Sequence, residues 1–238
     1  MTKDWHLETQ NSDYLDMSEK RLTQPPLIWV NQFTEIINSK FETSQKIKIN
    51  DIGCNVGHFA RNINELKSNV DYRGIDISDV YLNIAKQKFL ELRFENQDFS
   101  SEELNREQFK CDISIVSATL EHVQNYKQFL KNIFSSTQKL VLIRTFLGDE
   151  SRKDYCQKEN ALNPYLIRQF KKDQLVNKDF NKKWTVEFRE DMATQSKWKN
   201  ICAEIKRRQI VIVYQLKMFF ASIHFEINLV LSELRIIL

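Results

Sequence analysis

The sequence predicts an α/β fold: a doubly wound, mostly parallel seven-stranded sheet with an N-terminal helical segment and a C-terminal extension. Three observations carry this. Short apolar runs alternate with amphipathic stretches between about residues 45 and 147, which implies parallel strands joined by right-handed helical crossovers. A turn with two of the chain's four glycines, Gly53-Cys54-Asn55-Val56-Gly57, directly follows the first apolar run. Two later strand-like runs, at 184–189 and 209–216, complete the sheet.

The elements follow in order. Residues 1–24 are polar with a few anchors (Trp5, Tyr14, Leu15, Leu22) and read as a loose lead-in. Pro25-Pro26 opens a helix, since proline is tolerated in a first turn. Leu27, Val30, Phe33, Ile36 and Ile37 then recur at helical spacing to about Asn38. A first strand over residues 46–52 is ended by Gly53, and a helix is expected from about His58 to Leu66. A second strand (70–77) leads to Asp79, the cap of a helix reaching about Leu90, and a short third strand spans 92–96. The charged stretch 101–110 suits a short helix; then come a fourth strand (112–117), a helix (126–135) and a fifth strand (139–146). Beyond Gly148 the chain turns charged, with a helix expected from Pro164 to about Phe170. The tail from Lys217 to Leu238 is apolar but interrupted by charges. It reads as a packing or oligomer element, with membrane association the weaker alternative. The division is therefore 1–44 for the lead-in and cap helix, 45–216 for the main domain and 217–238 for the extension.

Composition narrows the function classes. With 238 residues, 42% hydrophobic and 28% charged, the chain is too apolar for a disordered segment. A net charge of +3 is small for a protein that grips nucleic acid through its phosphates. Four cysteines without CxxC pairs or histidines at ligand spacing argue against zinc or a disulfide framework, and suit free thiols in the cytoplasm. The N-terminus has no secretory signal, and no uncharged stretch reaches the roughly 18 residues of a membrane span.

The chemistry concentrates in Asp51-Ile52-Gly53-Cys54-Asn55-Val56-Gly57-His58-Phe59. Glycines there turn the chain tightly and bring backbone N–H groups against a ligand. Asp76, ending the second strand in Gly74-Ile75-Asp76-Ile77-Ser78, stands where an acid accepts hydrogen bonds from both hydroxyls of a ribose. Together they indicate a ligand containing a nucleoside.

The loop is not the dinucleotide pattern, because it has two glycines four positions apart behind Asp51. It resembles the first motif of class I S-adenosylmethionine-dependent methyltransferases, a Rossmann-like superfamily, with Asn55 where a middle glycine is frequent. Asparagine tolerates left-handed backbone angles, so the turn survives. Gln97-Asp98-Phe99 is similar to the acid-plus-apolar pair that holds adenine. Ser117-Ala118-Thr119-Leu120-Glu121-His122-Val123 is similar to the family's Leu-Glu-His-Val ending of the fourth strand.

The resemblance covers about residues 45–147 and implies methyl transfer from S-adenosylmethionine to an O or N of a small molecule or glycan intermediate. It implies cofactor contacts from Asp51 (anchoring the loop or the cofactor's amino group), Gly53, Cys54, Asn55, Gly57, Asp76, Ile77, Asp98, Phe99 and Ser117. His122 is the candidate general base or, alternatively, a residue that frames the site; Glu121 is a weaker candidate for binding. His58 is read as cofactor-shielding or solvent-facing, and Tyr14 and Trp29 as lids over the cofactor or buried anchors. The basic groups Arg152-Lys153, Lys171-Lys172, Lys182-Lys183 and Lys206-Arg207-Arg208 are a solvated face or a site for an anionic substrate, and the aromatic residues Tyr165, Phe170, Phe180, Trp184 and Trp198 line an acceptor pocket or fill a closing layer. No clustered acids suggest a metal. The rival readings are an RNA methyltransferase, against which stands the lack of an Asn/Asp-Pro-Pro-aromatic motif, and a non-catalytic cofactor-binding scaffold.

Overall fold

The computed structural model describes residues 12–156, 165–176, 184–195, 199–202 and 205–216. Trp5, Phe180, Lys182-Lys183, Trp198, the side chains of Lys206-Arg207-Arg208 and the tail from Lys217 to Leu238 lie outside the described residues. Helices α1 (Ser12–Thr23) and α2 (Ile28–Asn38) precede strands β1 (Lys46–Ile52) and β2 (Asn69–Asp76). Next come α3 (Asp79–Lys88), β3 (Arg93–Asn96), β4 (Cys111–Ser117), α4 (Tyr126–Ser136) and β5 (Thr137–Leu147). A hairpin, β6 (Arg152–Cys156) and β7 (Tyr165–Gln169), precedes the single turn α5 (Lys172–Leu175). Strands β8 (Trp184–Glu190), β9 (Lys199–Cys202) and β10 (Ile205–Leu216) end the described chain.

The main path of the sheet has seven strands in the order β3-β2-β1-β4-β5-β10-β8, with β9 paired to the start of β10. Strands β1 to β5 are mutually parallel, and β10 runs antiparallel to both β5 and β8. The expected mixed, mostly parallel seven-stranded sheet is therefore present. Residue alternation puts Ile113, Ile115, Leu140 and Leu142 on one face with Val30, Phe33 and Ile37 of α2 and Leu82 of α3. Val116, Val141 and Ile143 lie on the other face with Phe129, Leu130 and Ile133 of α4. A sheet buried on both faces produces continuous apolar runs, which is why these strands could be read from the sequence.

Four expectations need correction. The lead-in is helical from Ser12, because Tyr14, Met17 and Arg21 form one stripe that faces a cavity at the sheet's end. The helix expected at 58–66 is a 3-10 segment, Ala60–Glu65, where Asn62 is buried and donates from Nδ2 to Thr34 Oγ1 at 2.9 Å. Residues 101–110 form turns around buried Leu104 and Phe109 rather than a helix. Residues 165–169 are strand β7, paired with β6 from Arg152↔Gln169 to Cys156↔Tyr165. Among the described residues no helix is long and apolar enough to cross a membrane.

Candidate active site

Strand β1 pairs with β2 on one side and β4 on the other, so the crossovers diverge between β1 and β4. In such sheets the crevice at the strands' carboxyl ends is where ligands bind. A cavity of about 950 Å³ opens there.

The turn after β1 forms its floor. Gly53 has φ +77° and Asn55 φ +54°, both left-handed. A Cβ added to Gly53 would meet Thr119 Oγ1 at 2.1 Å, so no side chain fits between this turn and the end of β4. Asn55 stabilises its own conformation, with Oδ1 accepting from the Val56 N–H at 2.7 Å. Asp76 ties this turn to β2: Oδ2 accepts from the Asn55 N–H at 2.9 Å and Oδ1 from the Ser78 N–H at 3.0 Å. Asp51 lies underneath, 3% exposed, and accepts from the Tyr72 hydroxyl at 2.8 Å. Burial pushes its carboxyl up to about 7, although the Tyr72 hydroxyl pulls the other way, and the nearby Asp76 adds to the rise.

Of the residues expected to hold the cofactor, Asp51, Gly53, Cys54, Asn55, Asp76, Ile77, Asp98, Phe99 and Ser117 all line this cavity. Gly57 does not. Its φ of +90° turns the chain behind the wall, where a Cβ would strike the Phe89 ring at 2.8 Å. Asp98 is exposed, its Oδ1 accepting from the Ser100 N–H and Oγ at 2.7 Å each. Phe99 is buried, edge-on to Phe109 at 5.3 Å. Tyr14, Trp29 and His58 also line the cavity, Trp29 stacking on Phe59. Burial, with Arg21 and Arg61 nearby, lowers His58 to about 4 and keeps it neutral.

The opposite wall begins at the 3-10 turn Leu120–His122 after β4. His122 Nδ1 lies 2.7 Å from the Leu166 carbonyl of β7. A carbonyl only accepts, so Nδ1 carries hydrogen and Nε2 is the basic nitrogen of the neutral ring. Glu121 is buried and accepts from Thr145 Oγ1 at 3.0 Å. Arg144 forms a two-pronged pair with Asp191, Nε to Oδ1 at 2.7 Å and Nη2 to Oδ2 at 3.2 Å. Burial would raise the Asp191 carboxyl, but Arg144 and Thr194 outweigh it and hold the carboxyl below its usual range.

Phe146, Tyr165 and Ile167 complete this wall, and Met17 and Arg21 reach in from α1. Of the aromatic residues expected at an acceptor pocket or in a closing layer, Tyr165 lines the cavity while Phe170 and Trp184 pack in the core; Phe146, Ile167, Met17 and Arg21 were not singled out from the sequence. The 14-17-21 spacing was a legible helical stripe, but Phe146 and Ile167 gave no local signal. The exposed Arg152, Lys153, Lys171 and Lys172 do not line the cavity. Among the described residues no group of histidines, cysteines or acids could hold a metal ion.

Sequence and structure comparisons agree with this geometry. The profile of a methyltransferase-domain family matches residues 50–138. No curated protein sequence matches the chain. An S-adenosylmethionine-dependent methyltransferase from Clostridium acetobutylicum superposes with a TM-score of 0.57 at 13% identity, covering 87% of this chain and 98% of that one. The N-terminal domain of EvdMO1, solved with SAH bound, superposes at 0.58 and 13% identity, covering 82% of each chain. The [4+2]-cyclase SpnF superposes at 0.57 and 11% identity, covering 79% of this chain and 81% of its own. Residues 50–138 thus match a methyltransferase-domain family, and the chain shares the fold of S-adenosylmethionine-dependent methyltransferases.

Proposed function

We propose that this chain methylates an oxygen or nitrogen of a small molecule or glycan intermediate. The observation that carries this reading is one cavity with two chemically different walls. On one side are the Gly53–Asn55 turn and Asp76; on the other are His122 and an apolar surface from Phe146, Tyr165 and Ile167. Its volume of about 950 Å³ is at the upper end for small-molecule sites, roughly 300–1,000 Å³, which suits two ligands side by side.

The residues fit the cosubstrate: the turn is closed to any side chain at Gly53, and the Asp76 carboxylate lines the cavity beside it. In this reading Asp76 accepts from the ribose hydroxyls, and Asp98 and Phe99 flank the base. Asp51 faces the amino group, while Arg21 offers a cation to the carboxylate of the methionine portion. S-adenosylmethionine, when bound, supplies an electrophilic methyl group on a sulfonium. His122 Nε2 takes the acceptor's proton, and the ring stays oriented because Nδ1 is held by Leu166. Segment 1–44 caps the unit formed by 45–216, since Tyr14, Met17, Arg21 and Trp29 all reach the cavity. The free buried thiols of Cys54 and Cys111 suit a cytoplasmic setting.

RNA is the weaker acceptor. The cavity wall carries Asp51, Asp76, Asp98 and Glu121 against Arg21 and an Arg144 already paired with Asp191, a poor surface for phosphates. A second reading is a non-catalytic cofactor-binding scaffold, since the same fold also serves a [4+2]-cyclase and a fold alone does not fix a reaction. Calorimetry with S-adenosylhomocysteine, followed by transfer of labelled methyl to a panel of hydroxyl, amine and RNA acceptors, separates these. Binding with transfer to a small acceptor supports the proposal; binding without transfer to any of them favours the second reading, and no binding overturns both.

A further inference from the structure

The β6–β7 hairpin touches the reactive end of the cavity in a way that the cosubstrate does not require. His122 sits on the 3-10 turn after β4, yet its Nδ1 partner, the Leu166 carbonyl, comes from β7, 44 residues further along the chain. The ring also meets the edge of Tyr165, with centroids 5.9 Å apart at 69°. Imidazole orientation is thus set by an element distant in sequence, and that element must itself be held in register.

Arg168 supplies the hold. It is nine-tenths buried on β7, and among the described residues no carboxylate pairs with it. Nη2 donates to the Gln124 carbonyl at 3.2 Å and approaches the Val123 carbonyl at 3.5 Å, the two residues after His122. The guanidinium lies 4.7 Å from the Tyr126 ring centre at the start of α4 and 5.9 Å from that of Phe170. At its far end β7 is sewn to the main sheet, with the Phe170 N–H donating to the Phe146 carbonyl and the Gly148 N–H to the Phe170 carbonyl, both at 3.0 Å. The carbonyl hydrogen bonds and the two aromatic faces offset the cost of burying this cation, so β7, the 123–124 backbone and the start of α4 are held in a fixed relation.

We infer that the hairpin is a positioning device for His122: the Leu166 carbonyl selects the Nδ1–H tautomer, and Arg168 is the positioning residue that clamps the hairpin onto the 120–125 loop. This rests on the reading of His122 as the group that takes the acceptor's proton. The tautomer is nevertheless a property of the protein alone. It can be measured with no acceptor present.

The test uses nitrogen-15 histidine spectra of the full chain, with His122→Gln identifying the His122 signals, alongside Arg168→Met and Arg168→Lys. The expected result is an Nδ1–H tautomer at His122 in the parent protein, a loss of that preference in Arg168→Met, and its partial return in Arg168→Lys. In Arg168→Met, kcat falls about ten- to hundredfold, as for a misplacement near 1 Å, while affinity for S-adenosylhomocysteine is unchanged. An Nε2–H tautomer in the parent protein overturns the proposal even if Arg168→Met does not fold. So does an Arg168→Met protein with the parent's tautomer and kcat. If no acceptor is methylated at all, the proposed function fails while the tautomer spectra still decide this inference.

Discussion

Replacing Gly53 with alanine tests the floor of the cavity directly. Two costs add. At φ +77° an L-residue pays about 1–2 kcal/mol for the left-handed conformation. The new methyl would also lie 2.1 Å from Thr119 Oγ1, 2.7 Å from Cγ2 and 2.9 Å from Cβ. Relieving such overlap costs roughly 1–3 kcal/mol and displaces the residue leading into the 120–122 turn. The single variant should therefore lose about 2–5 kcal/mol. Thr119→Gly removes all three clashing atoms but leaves the backbone angle as it is. In that background Gly53→Ala should cost only the conformational part, a coupling of about 1–3 kcal/mol. Urea unfolding of the four proteins in this cycle measures the coupling, and calorimetry with S-adenosylhomocysteine reports the cavity. Equal costs in the two backgrounds would refute the close approach of the turn to β4. No cost in either would refute the left-handed turn itself.

Four further outcomes are expected. Asp76→Ala weakens S-adenosylhomocysteine binding at least about tenfold, since hydrogen bonds to a charged acceptor are worth about 1.5–3 kcal/mol each; unchanged affinity in calorimetry would remove the ribose assignment. Asp51, at about 7 when folded against 3.8 for an ordinary aspartate, keeps a proton that the unfolded chain has released between those values. Its contribution to stability is thus complete below about pH 4 and is lost as pH rises to about 7, and Asp51→Asn should flatten that decline in urea unfolding. Asp191→Ala leaves the buried Arg144 guanidinium without its carboxylate and should cost about 3–5 kcal/mol in thermal or urea unfolding. His122→Gln should lower the turnover of a methylated acceptor while calorimetry shows unchanged S-adenosylhomocysteine affinity; equal rates would make the histidine a framing residue.

The parts of this molecule that could be read in advance are those where chemistry is local. A glycine forced to positive φ beside a strand end, and an acid closing the next strand, are written into adjacent residues, so Gly53 and Asp76 were found without a structure. The strands β1, β2, β4 and β5 were legible because burial on both faces turns each into an apolar run. Strand β7 shows the opposite case. All five of its residues, including Arg168 and Gln169, are buried, so neither strand alternation nor a helical stripe survives, and Pro164 imitates a helix start. Helix α1 was missed because its cavity-facing stripe is only Tyr14, Met17 and Arg21 in a largely polar segment. Arg144 could not be assigned in advance because its partner, Asp191, is brought to it by the fold from 47 residues away.

The same distinction separates the two walls of the cavity. The residues proposed to hold the cofactor, 51–55, 76–77 and 98–99, sit where parallel strands end, so the topology itself requires the chain to turn there. The opposite wall is not required by the topology. Strands β5 and β8 both run antiparallel to β10 and are therefore parallel to each other, so the chain must cross back over the sheet between them. Among the described residues this crossover has no long helix; it has the β6–β7 hairpin and the single turn α5, with Phe170, Leu175 and Trp184 filling the face beneath. Covering the sheet with a few large side chains allows the hairpin to project over the carboxyl ends of the strands. There Tyr165 and Ile167 face the cavity and Leu166 reaches His122. Substitutions in this crossover can therefore alter what lies beside the reacting atom without disturbing the turn at Gly53. A shared fold among methyltransferases and a cyclase is the outcome expected of such a division.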